Sequence, residues 1–246
     1  MVLKTLEAKI IHYGHSSVAV ETPNSFLIFD YYYDNPLSQK DNNDSNFLSY
    51  ENLKTDKDVY VFVSHSHGDH FNKEIFKWQD INPNIKYILS QDIKDFVYDS
   101  KYYYMKEYEK LDLGDIHIKT YGTTDRGVSF LINTDNIYIF HAGDLNWWHW
   151  KHFTKEEQKR EEVDFKREIG HIIGEKIDIA FIPVDPRLEE YYHLAGEYIA
   201  DKLEPKFLIP IHFREQFSIC RKFFNVVRNL PIKVPLFTHI GDYTYV

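Results

Sequence analysis

The chain has 246 residues, a formal net charge of −9, 17% aromatic residues and a single cysteine, Cys220. That length and apolar content suit one folded domain over residues 1–246 with a sizeable core. The acidic balance argues against an extended nucleic-acid footprint, which must neutralise many phosphates, and one cysteine excludes both an intrachain disulfide and a cysteine-based zinc site.

Residues 1–11 carry Lys4, Glu7 and Lys9 among their apolar positions and lack the uninterrupted hydrophobic region of a secretory signal. No later run is long enough to span a membrane, so a cytoplasmic setting is expected. Runs of β-branched and aromatic residues predict strands over 10–13, 18–21, 26–29 and 59–63. Between the last two, the low-complexity stretch 41–46 reads as an exposed loop bordering a pocket. Asn72 is placed to cap a helix through Ile75, Phe76 and Trp78. Strands are then expected over 85–89, 117–121, 128–133 and 137–140. Residues 151–167 mix both charge signs like a solvated helix, with Thr154 and Glu157 spaced as a capping box. Later strands fall over 177–182, 207–211 and 233–237, with helices near 188–202 and 215–229. Pattern alone gives mixed α/β.

The strand predicted at 59–63 runs into His65-Ser66-His67-Gly68-Asp69-His70, four strong metal-binding side chains within six residues. Neutral imidazoles and carboxylates are the donors that borderline divalent ions prefer. Two residues apart in near-extended chain, His65 and His67 point to one side and grip one ion, while Asp69 and His70 beyond Gly68 face a second.

Here the sequence resembles the metallo-β-lactamase superfamily, whose signature His-x-His-x-Asp-His stands as His65, His67, Asp69 and His70. Gly14-His15-Ser16-Ser17 and Phe26-Leu27-Ile28-Phe29-Asp30 are similar to its opening strands and first acidic motif. Phe140-His141-Ala142-Gly143-Asp144 is similar to the segment carrying the metal-bridging aspartate, and Phe207 to His212 to the closing strand and last histidine ligand. Within the superfamily the chain looks most like the L-ascorbate-6-phosphate lactonases and related metal-dependent hydrolases. The resemblance implies a four-layer αββα sandwich, with two divalent ions, zinc or manganese with iron also compatible, at one edge between the sheets.

One departure stands out. The family places a histidine between signature and bridging aspartate as third ligand of the first metal, and here Thr123-Thr124-Asp125 occupies that place. Asp125 is the first substitute. His141 and His149 are its rivals, His141 equally as a residue behind the ligands or in the core and His149 more readily as pocket wall. The expected centre therefore has His65, His67 and Asp125 on one ion, Asp69, His70 and His212 on the other, and Asp144 between. A bridging hydroxide would attack a carbonyl or phosphoryl centre, with Asp69 orienting or protonating and His15 close to the metals.

For substrate, Arg126, Arg187 and Arg214 lie beside motif positions, where an arginine fork suits phosphate or carboxylate, and Trp147, Trp148 and Trp150 can line an apolar or sugar-stacking wall. The leading expectation is hydrolysis of a small ester, lactone or phosphate-bearing metabolite, with no extended nucleic acid and no membrane as partner; nothing in the sequence supports an oligomer. Two alternatives are a phosphodiesterase or nuclease acting on a short nucleotide and a non-hydrolytic redox or sensor protein. Related diiron oxidoreductases place glutamate where this chain has His67, which favours hydrolysis.

Overall fold

The computed structural model describes residues 7–33 and 47–246, so the loop expected at 41–46 lies outside the described residues. The first half of the chain builds one sheet: β1 (Lys9–Gly14), β2 (Ser17–Glu21), β3 (Ser25–Phe29), the short helix α1 (Tyr50–Leu53), β4 (Asp58–Val63), β5 (Lys86–Ser90) and β6 (Tyr103–Met105). The second half builds another from β7 (Lys110–Asp112), β8 (Ile116–Tyr121), β9 (Ser129–Thr134), β10 (Ile137–His141), β11 (Ile179–Pro183) and β12 (Phe207–Ile211). Helices α2 (Lys155–Ile172), α3 (Leu194–Leu203) and α4 (Ser218–Val227) interleave with the later strands, and β13 (Asp242–Tyr245) returns to the first sheet beside β1. The strand orders are β13-β1-β2-β3-β4-β5-β6 and β12-β11-β10-β9-β8-β7.

Strand alternation makes the layers. In β4, Tyr60 and Phe62 join the core between the sheets with Phe29, Phe130 and Phe181, while Val59, Val61 and Val63 face outward. Phe62 stacks on Phe29 at 4.8 Å and meets Phe130 of the facing sheet edge-on at 5.3 Å. Each such ring, fully buried, contributes roughly 1.5–3 kcal/mol relative to exposure. The second sheet's outer face, with Phe140, Ala180, Ile182 and Leu208, is covered by Phe165 and Ile169 of α2, Ile199 of α3 and Phe223 of α4. The first sheet's outer face is covered more thinly, by Leu53, by Ile75 and Trp78 of a 3-10 helix at Lys73–Asp80, and by Ile93 of another at Gln91–Asp95. The result is the expected αββα sandwich.

Several local expectations need correction. Residues 233–237 are not a strand: Pro235 has no N–H to give a ladder, and only a single bridge joins Lys233 to Phe207. The last strand is β13 instead. Asn72 caps as expected, accepting from Glu74 N at 3.0 Å, but the helix it caps is the 3-10 helix at Lys73–Asp80. The helix expected over 188–202 is broken at Glu189 (φ 54°, ψ −121°) into a 3-10 turn, Pro186–Tyr191, and α3. The capping box of α2 forms, with Thr154 Oγ1 accepting from Glu157 N (3.2 Å) and Glu157 Oε2 accepting from Thr154 N (2.7 Å).

β3 and β4 run parallel, as do β10, β11 and β12. Their carboxyl ends therefore point the same way within each sheet, and the segments leaving them carry Asp30, Ser64 to His70, Asp144, Asp185 and His212. Crevices at the carboxyl ends of parallel strands are where open α/β sheets place ligands.

Candidate metal centre

These segments bring the signature together with residues far away in the chain. His15, Asp69, His70 and His212 form one group whose donor atoms all lie within 4.8 Å of one another; His65, His67 and Asp144 form a second. Asp144 stands between them. Its Oδ2 lies 3.3 Å from His65 Nε2, and its Oδ1 lies 3.2 Å from His70 Nε2 and 3.3 Å from His212 Nε2. His65 Nε2 also lies 3.0 Å from His67 Nδ1, and Asp125 Oδ2 comes within 3.9 Å of that same Nδ1.

The other nitrogen of each ring fixes the tautomer. His70 Nδ1–H donates to Asp30 Oδ2 at 2.8 Å, and His212 Nδ1–H to Asp185 Oδ2 at 2.9 Å. Ser64 Oγ gives its proton to Asp30 Oδ2 (2.6 Å), which leaves it to accept from His65 Nδ1–H (3.0 Å). Three Nε2 lone pairs thus face one carboxylate, an arrangement that requires either extra protons or cations between them. Asp144 Oδ1 is buried and makes no hydrogen bond. This donor set fits divalent metal, with carboxylates behind the imidazoles that raise ligand basicity and hold ring orientation.

Charge follows the same logic. Burial opposes ionisation of Asp144, yet His70, His212 and His65 outweigh it and hold the carboxyl well below the usual range. Burial likewise lowers His65 and His212, but Asp144 prevails and both are raised. His15 differs. Burial pushes it down to about 4, its Nδ1 accepts from Arg214 N at 3.2 Å, and its Nε2–H therefore donates to Asp69 Oδ2 at 3.1 Å. That bond holds Asp69 below the ordinary carboxylate range. His15 is thus an orienting donor to Asp69 with no lone pair left for a metal.

The backbone bends sharply to make these approaches. His15, Asp30, His212 and Arg214 all have positive φ (45°, 46°, 68° and 54°), a left-handed geometry that costs a non-glycine residue about 1–3 kcal/mol. His212 N donates to His15 O (2.9 Å) and His15 N to Arg214 O (3.1 Å), which ties the turn after β1 to the segment after β12. At Gly127 (φ +79°) a Cβ would lie 2.0 Å from Ser64 O, so glycine is required for the 122–128 loop to close against the signature.

A family profile described as the beta-lactamase superfamily domain matches residues 9–212. The chain belongs to this superfamily. Its members are commonly metal-dependent hydrolases. Solved structures are similar in fold: the metallo hydrolase Igni18 of the archaeon Ignicoccus hospitalis has a TM-score of 0.62 at 18% identity, covering 97% of this chain and 98% of its own. YhfI of Bacillus subtilis gives 0.60 at 14% identity, covering 99% and 100%. The diiron β-hydroxylase CmlA of Streptomyces venezuelae gives 0.62 at 12% identity, with 99% of this chain matched to 55% of that one. No curated protein sequence matches significantly.

Against the superfamily signature, the structure sorts the remaining candidates. Asp125 lines the pocket but is exposed and lies outside both donor groups. His141 does not serve as its rival: it is fully buried, stacks on Phe29 at 4.9 Å, accepts from Gly143 N and donates to Ser16 O, so both nitrogens are used. His149 does not reach the donors either and packs on Tyr191 at 4.3 Å. Of the three arginines, only Arg187 lines the pocket, bound through Nε and Nη2 to Asp185. Arg126 instead donates to Ser66 Oγ at 3.2 Å, and Arg214 is exposed and does not line the cavity. The cavity, of ≈ 380 Å³, is walled by Trp148, Trp150 and Phe153, while Trp147 turns into the helical core against Phe165. A wider concavity of ≈ 930 Å³ lies at the opposite ends of the strands, among Asp58, Asp115 and Asp135, with none of the clustered donors. Asp185, Asp92 and Glu161 carry no sequence motif. Only the pairing of β11 with β12, the 3-10 turn after β5 and the docking of α2 bring them to the site.

Proposed function

We propose that the protein is a dinuclear metal-dependent hydrolase of a small ester, lactone or phosphate-bearing metabolite, akin to the L-ascorbate-6-phosphate lactonase branch and acting in the cytoplasm. The observation that carries this reading is the convergence of three imidazole Nε2 lone pairs on the buried carboxylate of Asp144. His65, His67 and Asp125 would hold one ion, Asp69, His70 and His212 the other, and Asp144 would touch both. Zinc and manganese suit the imidazole and carboxylate mixture, and iron is compatible with it. When bound, such a pair lowers the pKa of a water to near neutral and polarises the bond under attack.

The chain's own part is positioning and proton handling. Asp30, Ser64 and Asp185 hold the imidazoles in one tautomer. Asp69, kept ionised by His15, is a fixed acceptor that can orient a nucleophilic water. Trp148 and Trp150 lie parallel at 5.8 Å and, with Phe153, present a flat apolar wall that keeps bulk water from one side of the cavity. Arg187 places positive charge at the rim, where a substrate phosphate or carboxylate would sit. Thr124 is no nucleophile, because its hydroxyl donates to Asn146 O and accepts from Asn146 N. The cavity volume fits a small molecule.

The test is a hydrolysis panel of lactones, carboxylic esters and bis-p-nitrophenyl phosphate, run with added zinc or manganese. Turnover of a lactone or ester that His67→Ala abolishes supports the reading; full turnover by protein stripped of metal contradicts it.

A further inference from the structure

The two halves of the centre are built from similar donors but supported very differently. In the half containing His70 and His212, both rings are buried and each is backed by a buried carboxylate, Asp30 or Asp185. That half also includes Asp69, 35% exposed but held by His15 at 3.1 Å. In the other half His65 is the one buried ring. The His67 side chain is 39% exposed and Asp125, the nearest further carboxylate, is 47% exposed and 3.9 Å away. Among the described residues no hydrogen bond holds His67 Nε2. Beyond the bond from His65 Nδ1–H to Ser64 Oγ at 3.0 Å, what holds this half is the backbone between the two histidines. Ser66 N donates to Asp92 Oδ2 at 2.9 Å, and Ser66 Oγ accepts from Arg126 at 3.2 Å. Asp92 is half-buried and its other oxygen is inaccessible and without a hydrogen-bond partner, so its one hydrogen bond is this backbone contact.

We infer that the protein holds its two metals unequally: the half with His70 and His212 retains its ion, and the half with His65 and His67 takes its ion reversibly, with an affinity set by Asp92 through Ser66. The inference rests on the dinuclear reading above. A ligand whose ring is already locked gives up little freedom on binding; a half-exposed, unbacked ring must be ordered by the ion itself. Asp92 substitutes for the missing backing. By fixing the peptide between His65 and His67 it holds both rings on one side, and because its hydrogen bond goes to the backbone and to neither ring it acts as a positioning residue for that half.

The experiment measures zinc retention by the full-length protein. Zinc-equilibrated protein is dialysed against chelators of graded strength, and metal per chain is measured by mass spectrometry. Two separate losses are expected, with one zinc per chain outlasting the other. His67→Ala should remove the early loss and keep the retained ion. Asp92→Ala should weaken the early site by about 10- to 100-fold, the range for removing a group behind a ligand, without moving the late one. Asp92→Asn, which keeps an oxygen for Ser66 N–H, should restore most of that loss. Simultaneous release of both ions, or equal weakening of both by Asp92→Ala, overturns the inference while leaving a dinuclear centre intact. Failure to bind any zinc overturns the centre itself.

Discussion

Asp144 and Asp135 sit at opposite ends of β10, and their surroundings are opposite in kind. Asp135, in the turn before the strand, accepts from Thr22 Oγ1 (2.6 Å), Asn24 N (2.9 Å) and Asn24 Nδ2 (2.6 Å). Asp144, just past the strand, faces three imidazole nitrogens whose protons are committed elsewhere, and one of its oxygens has no hydrogen bond. Both ends are acidic, and the concavity beside Asp135 is the larger. Neither acidity nor cavity size distinguishes a site. What distinguishes it is whether the carboxylate's neighbours donate protons to it or present lone pairs: the first arrangement is complete by itself, and the second calls for a cation.

The largest separation between the two ends is expected in activity. Asp144→Ala should take hydrolysis below about a thousandth of the parent level, which corresponds to losing several kcal/mol of charge stabilisation, and metal content should fall with it. Asp135→Ala should leave both unchanged. If Asp135→Ala depletes metal as Asp144→Ala does, the contrast fails.

A second, intermediate effect is expected in the pH dependence of stability without metal. Because His65 and His212 are raised in the fold, the folded chain holds protons there that the unfolded chain releases. Their contribution is whole below about pH 6.5 and disappears as pH rises through the folded values. Metal replaces those protons. Thermal melts of stripped protein should therefore fall from neutral pH upward, and melts of zinc-loaded protein should not. His12 has the opposite sign. Burial lowers it to about 4, as a neutral ring bonded to Pro210 O, so its contribution is lost in both forms as pH drops from about 6.5 towards 4. Parallel curves with and without zinc above neutrality would contradict the account.

The smallest effect is thermodynamic and confined to the turn. Asp135→Ala removes three hydrogen bonds to a partly exposed carboxylate and should cost about 1–2 kcal/mol in chemical denaturation. No measurable loss would mean that the donors around Asp135 do not stabilise it.

Much of the fold and centre is legible in the sequence, for identifiable reasons. β4 declares itself because Val59 to Val63 is buried on both faces, and the signature after it is local, so six consecutive residues carry it. Residues 233–237 have the same apolar look, but Pro235 breaks the ladder. β13 escapes notice because its pattern is half exposed. Asp185, Asp92 and Glu161 are invisible in the sequence, since ordinary acidic residues become part of the centre only through contacts set by the fold: Asp185 reaches His212 across 27 residues of chain and Asp92 reaches Ser66 across 26. Spacing places Arg126 beside the substrate, whereas it braces Ser66, a role that spacing alone cannot separate from the other.

The most direct test is anomalous diffraction from crystals grown with zinc. Two peaks are predicted, one on each side of the Asp144 carboxylate, the first within bonding distance of His65 and His67 and the second within bonding distance of His70 and His212. A well-ordered map in which no anomalous density touches Asp144 would contradict the claim that this carboxylate is built to lie between two cations.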